Sequence, residues 1–275
     1  MGTLYLVATP IGNLEDMSPR AVRTLREARL IAAEDTRHTR QLLTHFDLRT
    51  PLTSYFEHNK LAKLDAVLSA LSEGDVALVS DAGTPGINDP GYELVKAALE
   101  AGHTVSPVPG PSAPLAALAA SGLPTDAFLY LGYLPRKSSE RKVFLQKVAE
   151  QPFTLVFLET PHRLLDALED IQSVLGDRLM AAARELTKVY EQFVRGQVSE
   201  VRRHFTQHEP RGEFVLVVAG QHAMAGERWT EDQLQAEIAR ELKDGGKAKD
   251  ISARLAIQSG WSKKEIYSIM NRKPQ

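Results

Sequence analysis

The feature that most constrains this chain is an alternation. Short apolar runs recur between stretches whose apolar residues fall at helical spacing, and several of the runs end in loops of Pro and Gly. In the first half LYLVA (4–8), LIAA (30–33), VALVS (76–80) and TVSPV (104–108) read as buried strands. Between the first two, Ser18-Pro19 supplies an N-cap and a proline at the first helical position, so residues 4–33 read as one β-α-β unit. Residues 59–73 and 89–101 read as further helices, the former stopped by Gly74. Strands that are apolar throughout must be covered on both faces, which argues for a mostly parallel sheet between helical layers.

The second half repeats the theme. A small-residue helix at 110–123 links to five further strand patterns, FLYLG (128–132), FTLVFLE (153–159), LMAAA (179–183), VYEQFVRG (189–196) and EFVLVVAG (213–220). Short connections predict antiparallel pairing for the last of these. Beyond Gly226 come three short helical patterns, about 230–244, 247–259 and 262–272. They read either as a small helix-turn-helix unit or as a packing or dimerisation appendage. The expected organisation is two α/β domains, 1–115 and 116–225, and a helical appendage, 226–275.

At 275 residues the chain is longer than one hydrophobic core usually serves, in keeping with two domains. It has no cysteine, which removes disulfides, thiolate zinc sites, iron–sulfur clusters and cysteine nucleophiles. The N-terminus lacks the cationic segment and cleavage site of a signal peptide, and no apolar run approaches a membrane span. A cytoplasmic, membrane-free protein is expected. The formal net charge of −2 is unevenly spread: residues 61–130 hold two Lys/Arg against eight Asp/Glu, and residues 131–275 hold twenty-three against twenty. A near-neutral total therefore does not exclude a nucleic-acid partner.

Open α/β sheets bind ligands beyond the carboxyl ends of their strands. Two loops there are rich in Gly and Pro, SDAGTPGINDPG (80–91) and PVPGPSAP (107–114), and each can line a ligand with main chain. Ser112 can cap the following helix or donate to a ligand. The first loop, ATPIGNLED (8–16), has the single glycine Gly12, where a dinucleotide fingerprint needs three. A nicotinamide cofactor is thereby rejected, although Glu34 lies where a ribose-binding acid would stand. AAEDTRHTR (32–40) gathers Glu34, Asp35, Arg37, His38 and Arg40 at one strand end, with Asp35 alternatively a helix cap.

These segments, with ATPIGNLEDMSPRA and AEDTRHTRQLL, resemble the tetrapyrrole-methylase-fold methyltransferases. Within that superfamily they resemble the enzymes that methylate a ribose 2′-oxygen on a decoding-centre cytidine of small-subunit rRNA. YLGYLPRKSSERK (130–142), LVFLETPHR (155–163), ARELTKVYEQFVRG (183–196) and RGEF (211–214) extend the resemblance over essentially the whole chain. It implies S-adenosylmethionine as cofactor, folded in a cleft between two α/β domains, and 16S rRNA of the 30S subunit as partner, with a homodimer expected. Carried over, the cofactor residues are Pro10, Gly12, Asn13, Asp81, Gly83, Thr84, Pro85, Ser112 and Ala113, with Leu131, Gly132 and Tyr133 from the second domain. The first loop departs from the Gly-rich form of the wider fold, which puts a tetrapyrrole substrate in doubt.

A ribose hydroxyl is scarcely ionised at neutral pH, so a positioned base helps the transfer. Glu34 or Asp35 are candidates, with His58 as the alternative. Arg37, Arg163 and Lys188 are candidates for orienting phosphate or stabilising charge. RNA contact is expected from Arg136, Lys137, Arg141, Lys142, Arg163, Lys263 and Lys264. No metal site is expected. Two rival readings stay open: a tetrapyrrole methyltransferase of the same fold, and a catalytically silent RNA-binding or assembly factor.

Overall fold

A computed structural model describes residues 2–56, 60–221, 229–243, 246, 248–261 and 263–270. It divides into two compact units, residues 1–117 with 184–192 and residues 118–183 with 193–275.

The sheet of the first unit holds β1 (Thr3–Val7), β2 (Leu30–Ala33), β3 (Leu52–Ser54), β4 (Val76–Val79) and β5 (Thr104–Val108). Its order is β3-β2-β4-β1-β5 and its pairings are parallel. The pleat of β4 shows why both faces are apolar. Ala77 and Val79 join Val7, Ile31, Leu25 and Leu42 in one core, while Val76 and Leu78 join Leu4, Ala32, Leu71 and Leu94 in another. Helices α1 (Pro19–Glu27) and α2 (Thr36–His45) supply the first core, α3 (Lys60–Glu73) and α4 (Tyr92–Glu100) the second. Ser18 Oγ accepts the Ala21 N–H at 3.1 Å, with Pro19 opening α1.

The β-α-β unit expected over 4–33 forms, but its two strands are not neighbours. Val76 stands between Leu4 and Leu30, so β4 separates β1 from β2. All four residues of β4 are buried, and a strand of that kind belongs in the middle of the sheet.

The second unit has the strand order β6-β7-β10-β8-β9, comprising β6 (Phe128–Tyr133), β7 (Thr154–Glu159), β8 (Leu179–Arg184), β9 (Gln192–Gln197) and β10 (Phe214–Val218). β6 runs parallel to β7, and β10 runs antiparallel to it. Its main core includes Phe157, Leu145, Leu168, Ile171, Phe205 and Phe214, drawn from these strands and from α6 (Ser138–Val148), α7 (Leu164–Leu175) and α8 (Val198–Gln207). Helix α5 (Ala113–Ser121) precedes β6.

The strand expected over 189–196 begins only at Gln192. Residues 185–191 form a strap that groups with the first unit, and Glu185 and Thr187 have φ of 51° and 66°. A left-handed backbone at a side-chain-bearing residue cannot continue a strand, so the strap is a bent connection. The C-terminal helices α9 (Glu231–Lys243), α10 (Ala248–Ser259) and α11 (Lys263–Met270) have their own core of Leu234, Ile238, Ile251, Leu255, Ile266 and Ile269. Among the described residues no helix is long and apolar enough to cross a membrane.

Candidate active site

Parallel register brings the candidate loops of the first unit together. Ala33 pairs with Val79, so the chain leaves β2 into Glu34 and Asp35 beside the point where it leaves β4 into Ser80 and Asp81. The Asp35 N–H donates to Asp81 Oδ1 at 2.9 Å, and the Asp81 N–H donates to Glu34 Oε2 at 3.4 Å. The loop after β1 is stitched to the same place. Thr9 and Gly83 exchange main-chain hydrogen bonds of 2.9 and 3.0 Å, and Thr9 Oγ1 donates to the Ser80 carbonyl. Thr84 Oγ1 donates to the Pro111 carbonyl at 3.3 Å, tying in the loop after β5.

These loops approach as closely as backbones permit. A Cβ on Gly110 would lie 3.0 Å from the Cβ of Ala8, and Gly83 takes φ of 82°. Gly12 admits the strap: a Cβ there would lie 2.5 Å from Lys188 Cγ and 2.9 Å from Thr187 Oγ1. Asn13 accepts the Glu15 N–H with its side chain, and the Ser112 carbonyl accepts the Ala116 N–H in the first turn of α5. Pro10, Asp81, Thr84, Pro85 and Ala113 complete the edge.

The two carboxylates offered as bases have opposite environments. Asp35 caps α2 through the Arg37 N–H at 2.8 Å and is gripped by the Arg37 guanidinium at 2.7 Å, which holds its carboxyl far below the usual range. Both of its oxygens are committed. Burial pushes the Glu34 carboxyl up; the Asp81 N–H opposes this and the charges of Asp81 and Asp35 reinforce it. Of the two, Glu34 is the one poised to take a proton. Arg37 points its charge at Asp35, and Lys188 reaches Glu185 at 3.0 Å. His58 lies outside the described residues.

In the second unit, Leu131, Gly132 and Tyr133 end β6 at an irregularity of register, with Gly132 at φ of 63°. Arg163, expected at RNA, is occupied otherwise. It donates to Glu159 Oε2, on a carboxylate with no exposed surface, and to the Leu134 carbonyl. It therefore fixes the turn that follows Tyr133.

Arg141, expected at RNA, is turned inward instead. It is 2% exposed, donates to Asp170 Oδ2 through Nε at 2.7 Å and pairs with it again through Nη2 at 2.6 Å. Its Nη1 satisfies the Pro135 and Arg136 carbonyls. A guanidinium so enclosed is not offered to RNA. Its neighbours in PRKSSERK do face outward: Arg136 is exposed, Lys137 pairs with Glu140 at 3.2 Å, and Lys142 reaches Asp170 at 3.3 Å. Lys263 and Lys264 are exposed at the start of α11.

Sequence reasoning passed over Thr9 and Thr187. Thr9, buried at the end of β1, was legible as a hydroxyl between a strand and Pro10. Thr187, whose Oγ1 is buried without a hydrogen-bond partner, carried no local signal. Among the described residues no group of three or more His, Cys, Asp or Glu is arranged to hold a metal ion.

Residues 3–202 match the family of tetrapyrrole (corrin/porphyrin) methylases. The chain is 47% identical over 271 residues to ribosomal RNA small subunit methyltransferase I of Synechocystis, covering 98% of this chain and 97% of that one. To the protein of the same name from Escherichia coli O157:H7 it is 49% identical over 245 residues, 88% of this chain and 84% of that one. Its fold is similar to the crystal structure of uroporphyrin-III C-methyl transferase from Thermus thermophilus complexed with S-adenosyl homocysteine. There the TM-score is 0.56 at 22% identity, covering 79% of this chain and 97% of that one.

Proposed function

Because this chain belongs to the tetrapyrrole methylase family, and within it to the ribosomal RNA small subunit methyltransferase I family, we propose that it methylates a ribose 2′-oxygen of 16S rRNA, that of cytidine 1402, from S-adenosylmethionine. The observation that carries this reading is near-full-length identity to relatives named for small-subunit rRNA, which extends past the methylase region into the helical tail.

The loops fit the methyl donor. Pro10, Gly12 and Asn13, Asp81 to Pro85, and Ser112 with Ala113 present main chain and small side chains at one sheet edge, and the missing Cβ atoms of Gly12 and Gly110 let the segments there pack closely. Leu131, Gly132 and Tyr133 complete the donor's contacts in this reading. When bound, S-adenosylmethionine supplies an electrophilic methyl group on a sulfonium, a leaving group that needs no proton.

The chain's own task is then to align the ribose hydroxyl and to relieve it of its proton. Glu34 receives that proton, since its carboxyl is free of any cation among the described residues and burial has raised its basicity. Asp35 acts on Glu34 by position, anchoring α2 and orienting Arg37. Lys188 and Arg37 steer phosphate, while Arg136, Lys137 and Lys142 give the second unit a basic rim.

The substrate is the 30S subunit, and the protein works as a homodimer in the cytoplasm. Val189 and Tyr190, 92% and 78% exposed, supply apolar surface for such pairing.

The test is transfer of radiolabel from S-adenosylmethionine to undermethylated small subunits, to naked rRNA, or to a tetrapyrrole precursor. Label on RNA, lost when the 2′-oxygen of the target cytidine is replaced by hydrogen, is expected. Label on the tetrapyrrole alone overturns the reading, and donor binding with no transfer points to an assembly factor.

A further inference from the structure

In the second unit, the segment that leaves β6 is held by side chains where the strand pairing stops. β6 stands at the edge of its sheet with β7 beside it, and their pairing ends where Tyr133 meets Leu158, after an irregularity in register. A kinked edge strand is prone to fray at such an end. Here the next three carbonyls are all taken by arginines. Arg163 Nη2 donates to the Leu134 carbonyl, and Arg141 Nη1 donates to those of Pro135 and Arg136 at 3.2 Å each.

Each arginine is fixed in turn by a buried carboxylate. The same Arg163 Nη2 donates to Glu159 Oε2 at 2.9 Å, and the other oxygen of that carboxylate accepts the Thr160 N–H at 2.8 Å. Arg141 is anchored on Asp170. Pro161 opens a short turn, Pro161–Arg163, that brings residue 163 back to residue 159. The two arginines act at different places. Arg141 holds the approach to α6, whereas Arg163 holds the residue directly after Tyr133. Its position leaves Arg163 Nε buried with no hydrogen-bond partner. A guanidinium offered to an outside ligand would keep that nitrogen in water, so the inward contacts are what the placement serves.

Gly132, at φ of 63°, is a joint that leaves the course of the chain beyond it to be set by other contacts. We propose that Arg163 is a positioning residue for methyl transfer: braced on Glu159, it grips the Leu134 carbonyl and so holds Leu131, Gly132 and Tyr133 in place for the methyl donor. The inference rests on the reading that assigns those three residues to S-adenosylmethionine. It takes Arg163 away from RNA, where the sequence pattern suggested it, and gives it an indirect part in donor binding through Leu134. Alignment of donor and acceptor is the main lever of such a transfer, so a small displacement here reaches the rate.

The test uses the full-length chain, with donor affinity by calorimetry, rRNA-fragment affinity by anisotropy, and steady-state transfer from S-adenosylmethionine. Arg163→Met combined with Glu159→Gln removes the grip and the carboxylate's charge together, so that no buried charge is stranded. Its kcat/KM for the donor should fall about 10²-fold, the cost of a displacement of about 1 Å, with donor affinity reduced and rRNA affinity unchanged. Glu159→Gln alone leaves the Leu134 bond and should keep donor affinity. Arg163→Lys supplies one nitrogen that can donate to both acceptors, and should stand nearer the parent than the double variant does. Circular dichroism checks the fold, and Arg163→Gln carries the same comparison if the double variant does not fold. Donor affinity untouched by loss of the grip, a loss of rRNA affinity with donor affinity intact, or both affinities falling in step with stability overturns the proposal. The expected donor loss in a chain that transfers no methyl to rRNA would instead count against the proposed activity.

Discussion

Replacing Arg141 by Met tests whether the inward-turned arginine is a structural element of the second unit. The substitution removes two contacts to Asp170, of 2.7 and 2.6 Å, and two bonds to the Pro135 and Arg136 carbonyls. It leaves a carboxylate that is 5% exposed. Removing one partner of a buried ion pair costs about 3–5 kcal/mol. Ser138 at 3.0 Å and Lys142 at 3.3 Å still serve Asp170, which places this case at the low end, about 3 kcal/mol. In a chain of this size that is a fall of about 6–12 °C in Tm.

The pH dependence has a definite sign. Burial pushes the Asp170 carboxyl up, but Ser138, Arg141 and Lys142 together outweigh it and hold it below its ordinary value. Its pairing therefore stabilises the fold above the pKa of an unfolded Asp and is lost as pH falls through the lowered value. The penalty of Arg141→Met should be full at pH 7 and shrink toward pH 3, and adding Asp170→Leu should recover most of it at pH 7. Urea unfolding measures stability, and anisotropy with rRNA fragments measures affinity, which should stay within about twofold of the parent. A variant of unchanged stability whose RNA affinity collapses would refute the structural assignment.

Glu34→Gln should lower methyl transfer about 10²–10⁴-fold, the usual worth of a positioned base, with donor affinity nearly unchanged by calorimetry. Its raised carboxyl pKa means the folded state favours the proton, so the same variant should melt higher than the parent at pH 7, and the gap should close below the pKa of an unfolded Glu. The single-turnover rate of the parent should rise with pH through a value above the ordinary Glu range; a flat profile removes Glu34 as base. Gly12→Ala should force the strap off its seat at Thr187 and Lys188, costing about 1–3 kcal/mol and weakening donor binding; a neutral result would show that the contact yields easily.

How much of this was legible can be judged residue by residue. The strand runs and the Ser18-Pro19 start of α1 follow from local pattern, because two-faced burial and capping are short-range requirements. The loops of the candidate site were legible as Gly- and Pro-rich strand ends. Strand order was not: nothing near residues 4–33 announces that Val76 will lie between Leu4 and Leu30. Strand β3 has no pattern of its own, since three half-buried residues, Leu52–Ser54, make no period. The contrast of Glu34 with Asp35 depends on a local cap, which the sequence offers at Asp35, and on Asp81, which only register brings alongside. In PRKSSERK, Arg141 and Lys142 are indistinguishable as sequence, and it is Asp170 on α7 that draws one inward.

The order of the first sheet also bears on how the chain acquires its structure during synthesis. Of the described strands β1 is made first, yet its neighbours are β4, where residue 4 meets residue 76, and β5, where residue 3 meets residue 104. At about 5–20 residues per second, the opening strand waits several seconds for any hydrogen-bonding partner. Until then LYLV is an unpaired apolar edge, the kind of segment that chaperones hold and that aggregates seize. Parallel pairing over such separations is slow to form, so refolding in vitro should be limited by the docking of β1 between β4 and β5.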